Sequence, residues 1–394
     1  MDISANPDKF EDEEEALHST AVSNEKFSCS IYNVMKKEQE NLIMSPFSIS
    51  CVVAMVSTGA TGNTLQQIQS AFFFPSNHSL QLGYQQIIPA IRSTDNFIME
   101  TANTIFAMED FSLLPEYEEI LTRNFHSSIQ RVDFGDTVVA ARMINNWVEE
   151  VTREKIKNLV TKKMLSPDTR MVLISAFYIK ADWKTKFYHK RTTEEDFFVS
   201  PTIKVKSQMM KTKGDFLWAN LETLACTMVE LPYTGGRIVL QVLLPNEKHK
   251  IGEVEEKLMN HRIQELFQHA SNYETVDIHL PKFKLEQTIN LKNHLVTLGV
   301  KDMFVPGLAD FSGIDGTSQL CVSRVLQKVS VEITEEGTEA AAATAVIIEK
   351  ATCPKPSPSK QFVANHPFIF FMRDRTTGML LFMGKMANPQ AGAA

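Results

Sequence analysis

The 394-residue sequence lacks any run of about 18 apolar residues, so no helical segment is expected to cross a membrane. Its formal net charge of −7 gives no basic excess of the kind that attracts nucleic acid. Cysteine is scarce and forms no CxxC pair, which argues against a disulfide scaffold or a zinc cluster (Cys29, Cys51, Cys226, Cys321 and Cys353). The composition predicts a globular protein without a cofactor, with neither nucleic acid nor a membrane as partner.

The sequence patterns of common enzymes are missing as well. There is no GxSxG nucleophile motif, no HExxH metal motif and no glycine-rich phosphate loop. The 10 histidines and the carboxylates are scattered along the chain rather than clustered. We therefore predict that the protein is not an enzyme, and that it has no catalytic residue and no metal site.

The first 15 residues are polar and acidic, which is the opposite of a secretory signal with a basic start and an apolar stretch. Charge repulsion predicts a disordered extension over residues 1–15, followed by a single domain over 16–394. The chain is either leaderless or a mature form, and the composition does not choose between the two. Asn77-His78-Ser79 is a glycosylation sequence, which makes Asn77 a candidate site.

Apolar periodicity predicts a mixture of helices and strands. Helical spacing begins at Leu17, and Ser45-Pro46 starts a second helix because proline is tolerated in a first turn. Apolar or alternating runs predict strands at 171–179, 238–244, 276–285, 329–333 and 368–372. These elements interleave without a regular βαβ period, so the fold class is α+β in one domain.

The segment 329–361 combines a strand with a run of small residues. After Gly337, which has the backbone freedom of a hinge, strand alternation places Thr338 and the even-numbered residues to Ile348 on one uncharged face. Glu339 and Glu349 fall on the other face, so the stretch can enter a sheet with its charges in water. A short alanine-rich helix or a flexible linker is the alternative, because alanine also has the best helix propensity.

The hinge region closely resembles that of inhibitory serpins, with an arthropod-like character (Glu335, Glu336, Gly337, Thr338, Glu339, Ala340, Ala341, Ala342, Ala343 and Thr344). Further serpin-like motifs occur in the family's order at 41–49, 144–156, 175–183, 230–233, 280–283, 309–314, 364–368 and 384–389. The resemblance spans about residues 16–390. Each motif is weak alone, but their shared order and spacing make the similarity strong.

This resemblance implies a serpin fold of three β-sheets and about nine helices, with an exposed reactive-centre loop at about 337–360. It also implies a suicide-substrate mechanism, in which the cut loop inserts into the central sheet while a serine protease is held as an acyl-enzyme. The expected sheet-opening residues are Ser45, Ser48, Ser175, Gln327 and Trp183. Ser175 and Gln327 depart from the asparagine and histidine of many serpins, although serine and glutamine can also pair.

The same resemblance implies a cut at Ala351-Thr352, which lies 16 positions after Glu335 and suits an elastase-like pocket. A loop shorter by one residue moves the cut to Lys350-Ala351, which suits a trypsin-like pocket. A non-inhibitory serpin, acting as a carrier, storage protein or chaperone, is the alternative function.

Further expectations concern partners and location. Glycosaminoglycan binding is not supported, because residues 79–95 hold one basic residue, and the lysine-rich segments 184–191 and 204–213 are interpreted as solvated surface. We expect a monomer. Secretion, which is common in the serpin family, and the acidic N-terminus favour an extracellular location, whereas the missing leader favours the cytoplasm.

Overall fold

A computed structural model describes residues 7–91, 97–261, 263, 272–317, 319–338 and 359–391. Within this part of the chain lie nine α-helices and two hydrogen-bonded sheets, which confirms the α+β class. The helices are α1 Pro7–Met35, α2 Pro46–Ser57, α3 Gly62–Phe72, α4 Asn77–Ala90, α5 Pro115–Phe125, α6 Thr137–Val151, α7 Ile251–Leu258, α8 Lys292–Thr297 and α9 Ser312–Asp315.

The strands follow one another over most of the chain. They are β1 Leu42–Met44, β2 Phe97–Met108, β3 Ile129–Val132, β4 Met171–Asp182, β5 Thr193–Phe198, β6 Lys204–Leu221, β7 Cys226–Pro232, β8 Ile238–Pro245, β9 Tyr273–Pro281, β10 Phe283–Asn290, β11 Val322–Ile333, β12 Gly337–Thr338, β13 Lys360–Val363, β14 Phe368–Asp374 and β15 Leu380–Met386.

The six-stranded sheet has the order β10-β11-β12-β4-β2-β3. Its centre is the parallel pair β11 and β4, which are hydrogen-bonded to each other from Val322 and Met171 to Ser330 and Tyr178. Every residue from Met171 to Ile179 is buried, as the continuous apolar run predicts for a strand covered on both faces. Beyond Ser330 the two strands are no longer paired directly, and β12 lies between their ends.

The nine-stranded sheet consists of two halves that share the long strand β6. The first part of β6 pairs with β5 and β9, whereas its last residues, from Leu217, pair with β7. Strand β6 therefore joins two of the three expected sheets into one hydrogen-bonded sheet. Strand β13 extends this sheet by pairing in parallel with β9.

Two helices cover opposite faces of the six-stranded sheet. Helix α6 begins after Asp136, whose carboxylate accepts hydrogen bonds from two backbone N–H groups of the first turn. Its apolar face packs on β2, β4 and β11. Helix α2 lies on the other face and contacts β2 and β4 of this sheet as well as β15 of the other sheet. Helix α2 therefore lies between the two sheets.

The N-terminal segment differs from the expected disordered extension over residues 1–15, because α1 begins at Pro7. Its early turns pack against α4, where Gln86 donates a hydrogen bond to the Glu13 carbonyl over 2.7 Å. Gly83 allows the close approach, because a Cβ there would lie 2.8 Å from the Ala16 carbonyl oxygen. This tertiary packing outweighs the repulsion between the acidic side chains. Residues 1–6 lie outside the described residues.

Among the described residues, no helix combines the length and the apolar character that spanning a membrane requires.

Candidate functional site

The hinge starts inside the six-stranded sheet. After β11 ends at Ile333 the chain turns back, and Thr334 donates a backbone hydrogen bond to the Gly337 carbonyl over 2.8 Å. The two residues of β12 then lie between β11 and β4, with Thr338 opposite Ile333 on one side and Ala181 on the other. Gly337 and Thr338 therefore occupy the space between the ends of β11 and β4.

Gly337 is required at this point by the closeness of β4. A Cβ on residue 337 would overlap the carbonyl oxygen of Ala181 and lie 2.7 Å from the Cα of Asp182. No other residue type fits without displacing the backbone of β4 or of the hinge itself.

Two stacked aromatic rings hold the hinge from the β4 side. Trp183 donates its indole N–H to the Thr334 carbonyl and its backbone N–H to the Glu336 carbonyl, each over 2.8 Å. The Trp183 ring stacks on Tyr233 with a centroid distance of 4.3 Å. The Tyr233 hydroxyl lies 2.7 Å from the Thr338 hydroxyl, and all three side chains are buried. We call Trp183, Tyr233 and the adjoining strand ends of β4 and β11 the hinge seat.

The two hinge glutamates are anchored by cationic and polar side chains outside the seat. Glu335 accepts hydrogen bonds from Thr192 over 3.0 Å and from Lys282 over 3.1 Å. Glu336 pairs with Lys186, and a ring nitrogen of His189 lies 2.9 Å from its other carboxylate oxygen. The carboxylates therefore fix the turn before β12 to segments that are far away in sequence.

These contacts decide the ionisation of both glutamates. Burial alone would raise the pKa of Glu335, but its backbone N–H, Lys282 and Thr192 outweigh burial and hold the pKa below the ordinary 4.5. Glu336 shows the same balance: burial opposes ionisation, whereas Lys186 and His189 lower its pKa below 4.5. Both anchors are therefore charged at neutral pH.

A second polar cluster lies further down the sheet, where α2 meets β4 and β11. Gln327 and Ser175 are direct neighbours across the parallel pair. The Gln327 amide donates to Ser48 over 3.0 Å, to Ser175 over 3.2 Å and to the Ser45 carbonyl over 2.9 Å, and its oxygen accepts from the Ser45 N–H. The hydroxyls of Ser48 and Ser175 are 2.6 Å apart. These four buried residues, the α2 cluster, tie both central strands to one helix.

The structure divides the expected sheet-opening residues between two places. Ser45, Ser48, Ser175 and Gln327 form the α2 cluster, whereas Trp183 belongs to the hinge seat at the end of β4. Within the hinge, Glu335 to Thr338 are described. The remaining predictions concern residues outside the described part of the chain: Glu339, Ala340, Ala341, Ala342, Ala343 and Thr344, and the bonds Lys350-Ala351 and Ala351-Thr352.

Five residues that hold the hinge were not predicted as site residues: Tyr233, Lys186, His189, Thr192 and Lys282. Tyr233 and Lys282 stand inside sequence motifs that carried the resemblance but had no assigned role. Lys186 belongs to a segment interpreted as solvated surface. Its partner Glu336 is 150 residues away, so the sequence around Lys186 does not indicate the pairing.

Two further candidates are Asn77 and the lysine-rich segment 204–213. Asn77 is the first residue of α4, capped by Ser76, and its side-chain oxygen is buried without a hydrogen-bond partner. Within the described ranges, Lys204 and Lys206 pair with Asp196, and Lys211 pairs with Glu195, so this lysine-rich segment is partly neutralised. No group of three or more potential metal ligands occurs among the described residues.

The comparisons with known proteins agree with this geometry. The family model Serpin (serine protease inhibitor) matches residues 22–389. Human leukocyte elastase inhibitor is 33% identical over 95% of this chain and 100% of its own. Intracellular coagulation inhibitor 2 of Tachypleus tridentatus is 35% identical over 93% of this chain and 90% of its own. The crystal structure of Serpin48, a highly specific serpin of the insect Tenebrio molitor, has a TM-score of 0.84 at 32% identity, covering 94% of this chain and 98% of that one. The chain therefore belongs to the serpin family.

Proposed function

We propose that the protein inhibits a serine protease by acting as a suicide substrate. The protease serine attacks the reactive-loop carbonyl, the new amino terminus leaves, and an ester links the two proteins. The chain after Thr338 then continues β12 as a full strand between β11 and β4, carrying the protease with it. Hydrolysis of the ester without insertion would release the protease and leave the protein as an ordinary substrate.

The observation that carries this proposal is the position of β12. Thr338 already pairs with both β11 and β4, Gly337 pairs with β4, and the Thr338 side chain is buried against Tyr233. If the strand continued in register, the next inward positions would be small residues, which enter a sheet without displacing its core. The leukocyte elastase inhibitor among the relatives is consistent with a protease as partner.

Backbone pairing and ordering nearly cancel in this step. Each new hydrogen bond contributes about 0.5–1.5 kcal/mol net, whereas ordering a residue costs about 1–2 kcal/mol. Burial of Val346 and Ile348, at about 1.5–3 kcal/mol for each side chain, therefore has to favour the inserted state. Small residues at the other inward positions keep insertion fast enough to precede hydrolysis of the ester.

The test is a screen of elastase-, chymotrypsin- and trypsin-like proteases for adducts that survive SDS. We expect an adduct with at least one of them and no adduct with Thr338→Arg, whose inward side chain would block the gap. Glu339→Arg is the matched control, since the same side chain on the outward face should leave adduct formation intact. Cleavage of the wild type by the whole panel without any adduct would favour the non-inhibitory alternative.

The mass of the fragment released with the adduct identifies the bond. A cut after Ala351 is expected with an elastase-like enzyme, whereas a cut after Lys350 is expected with a trypsin-like enzyme. We propose these two bonds as the alternative cleavage sites. The two outcomes differ by the mass of one alanine residue, which mass spectrometry resolves directly.

The extracellular prediction has no support among the relatives described above, and the Tachypleus tridentatus relative is named an intracellular inhibitor. We therefore favour the cytoplasmic alternative. Fractionation of cells that express the full chain would place it in the cytosol, and recovery from the medium would contradict this.

A further inference from the structure

Two threonines precede a run of three acidic residues at the point where the chain enters β5. Thr192 and Thr193 are followed by Glu194, Glu195 and Asp196. Counted from Thr192, carboxylates occupy the second, third and fourth following positions. A protein kinase with a basic substrate groove recognises such carboxylates by charge complementarity. The pattern therefore fits a threonine that accepts a phosphoryl group.

This segment lies at the surface and at the edge of a sheet. Thr193 and Glu194 are exposed, and Thr192 is half-buried. Among the described residues β5 pairs with β6 alone, so its other edge is not hydrogen-bonded to a strand. The ion pair between Glu195 and Lys211 is partly exposed, and such pairs contribute little to stability. The acidic side chains can therefore exchange their lysine partners for a kinase groove.

The two threonine hydroxyls have different partners. Thr193 donates a hydrogen bond to Glu195 over 2.8 Å and accepts one from Lys211 over 2.9 Å. The Thr192 hydroxyl instead donates to the Glu335 carboxylate over 3.0 Å. Within the described part of the chain, release of Thr192 therefore breaks one side-chain hydrogen bond, whereas release of Thr193 breaks two. Thr192 is also the threonine in direct contact with the hinge.

A phosphate on Thr192 would replace this hydrogen-bond donor by a repelling group. The ester oxygen carries no hydrogen to donate to Glu335, and the phosphate adds a charge of about −1.5 to −2 at pH 7 beside the carboxylate. It also competes for the cationic partners of Glu335. Lys282 Nζ lies 3.1 Å from one carboxylate oxygen, and His189 Nδ1 lies 3.7 Å from the other. Glu335 would thus lose one partner and share the other two.

We propose that Thr192 is a phosphorylation site of an acid-directed protein kinase, and that the phosphate detaches Glu335 from its anchors. The Thr192 hydroxyl oxygen attacks the terminal phosphorus of a nucleoside triphosphate. The new oxygen–phosphorus bond forms as the bond to the bridging oxygen breaks, the nucleoside diphosphate leaves, and the hydroxyl proton passes to a kinase carboxylate. Neither half of this proposal depends on the proposed inhibitory function.

The site is tested by incubating the full chain with casein kinase II and ATP and locating the phosphate by fragmentation mass spectrometry. We expect phosphate on Thr192 in the wild type and in Thr193→Ala. The isosteric variant Thr192→Val, which lacks the hydroxyl, should carry none in this segment. Glu195→Gln should slow phosphorylation of Thr192 about tenfold, because one charge-assisted contact with the kinase is lost.

Three outcomes would overturn the site. They are an unmodified Thr192, phosphate on Thr193 alone, and phosphorylation of Thr192 by the base-directed protein kinase A but not by casein kinase II. An unchanged rate in Glu195→Gln would show that the acidic run does not direct the enzyme.

The effect on the hinge is measured by hydrogen exchange of two backbone amides. Trp183 N–H donates to the Glu336 carbonyl over 2.8 Å, and Phe187 N–H donates to the Glu335 carbonyl over 3.0 Å. Phosphorylation should speed exchange at both amides about tenfold, equivalent to the loss of one charge-assisted hydrogen bond. The amides of β8, Ile238–Pro245, serve as an internal reference and should not change.

The matched variant for this measurement is Glu335→Gln, which keeps Thr192 and removes the repelled carboxylate. Phosphorylation of Glu335→Gln should leave exchange at Trp183 and Phe187 nearly unchanged. An acceleration as large as in the wild type would show that the phosphate does not act through Glu335. Equal exchange in phosphorylated and unmodified wild type would overturn the effect on the hinge and leave the modification site intact.

Discussion

Gly337 shows how a single missing side chain positions the hinge. A Cβ there would overlap the carbonyl oxygen of Ala181. In Gly337→Ala the alanine therefore has to leave the space between β11 and β4 or displace β4. We expect the melting temperature to fall by about 2–4 °C. Thermal unfolding checks this, with Gly252→Ala as the control, because a Cβ at Gly252 in α7 meets nothing within 4 Å. Equal melting of Gly337→Ala and the wild type would contradict the seated hinge.

Glu335 gives the hinge a pH dependence with a defined sign. Its pKa is lower in the folded protein than the ordinary 4.5, so its contribution is present above that value and is lost as the pH falls through the folded pKa. Glu335→Gln should therefore be less stable than the wild type at pH 7 by about 1–3 kcal/mol, and the difference should shrink as the pH falls below 4.5 and vanish below the folded pKa.

Urea unfolding at several pH values measures this difference. Glu40→Gln is the control, because Glu40 pairs with Lys37 on an exposed surface where such a pair contributes little. A difference between Glu335→Gln and the wild type that stays constant as the pH falls from 7 to well below 4.5 would show that the carboxylate charge is not what anchors the hinge.

At the scale of the elements, the α2 cluster joins β4 and β11, the strands that the proposed insertion separates. Gln327→Leu leaves the Ser45 N–H without its acceptor and removes three hydrogen bonds that link α2 to β11. We expect a loss of about 1–3 kcal/mol and faster formation of high-molecular-weight species on mild heating, because the sheet opens more easily. Size-exclusion chromatography after heating measures this.

The control for this variant is Gln361→Leu, an exposed glutamine on β13 with one long hydrogen bond to Asp277. If both variants remain monomeric to the same degree, the α2 cluster does not limit opening.

Most of the sheet could be predicted from apolar patterns, and the errors have physical causes. The run at 171–179 identified the buried core of β4, and the run at 238–244 identified β8. The single strand expected at 276–285 is two strands, because the chain crosses from one sheet to the other at Lys282. Strand β11 begins at Val322 rather than at Val329.

The missed half of β11 contains charged residues whose partners are distant in sequence. Arg324 donates to the Met164 carbonyl over 3.0 Å, and Lys328 donates to the Lys157 carbonyl over 2.7 Å. Both carbonyls belong to the segment that follows α6 and crosses the sheet. The same limit applies to the hinge seat: the motif around Gly337 is local and could be recognised, whereas the residues that anchor Glu335 and Glu336 are brought together only by the fold.

For the whole molecule, the proposed insertion predicts that the intact protein is not in its most stable arrangement. A cut within 339–358 by a protease that is not trapped would free the chain to extend β12 along the full length of β11 and β4. The added pairing and burial should raise the melting temperature by about 10 °C or more. Calorimetry of intact and cut protein measures the change.

The variant Thr338→Arg, cut by the same protease, separates insertion from a mere loss of loop strain. Its inward arginine should prevent the chain from entering the sheet at residue 338. The cut variant should therefore melt at nearly the same temperature as the intact variant. A wild-type protein that melts at the same temperature before and after the cut could not gain the free energy that trapping requires. The suicide-substrate proposal would then fail, because the ester would be hydrolysed with the protease still free to leave.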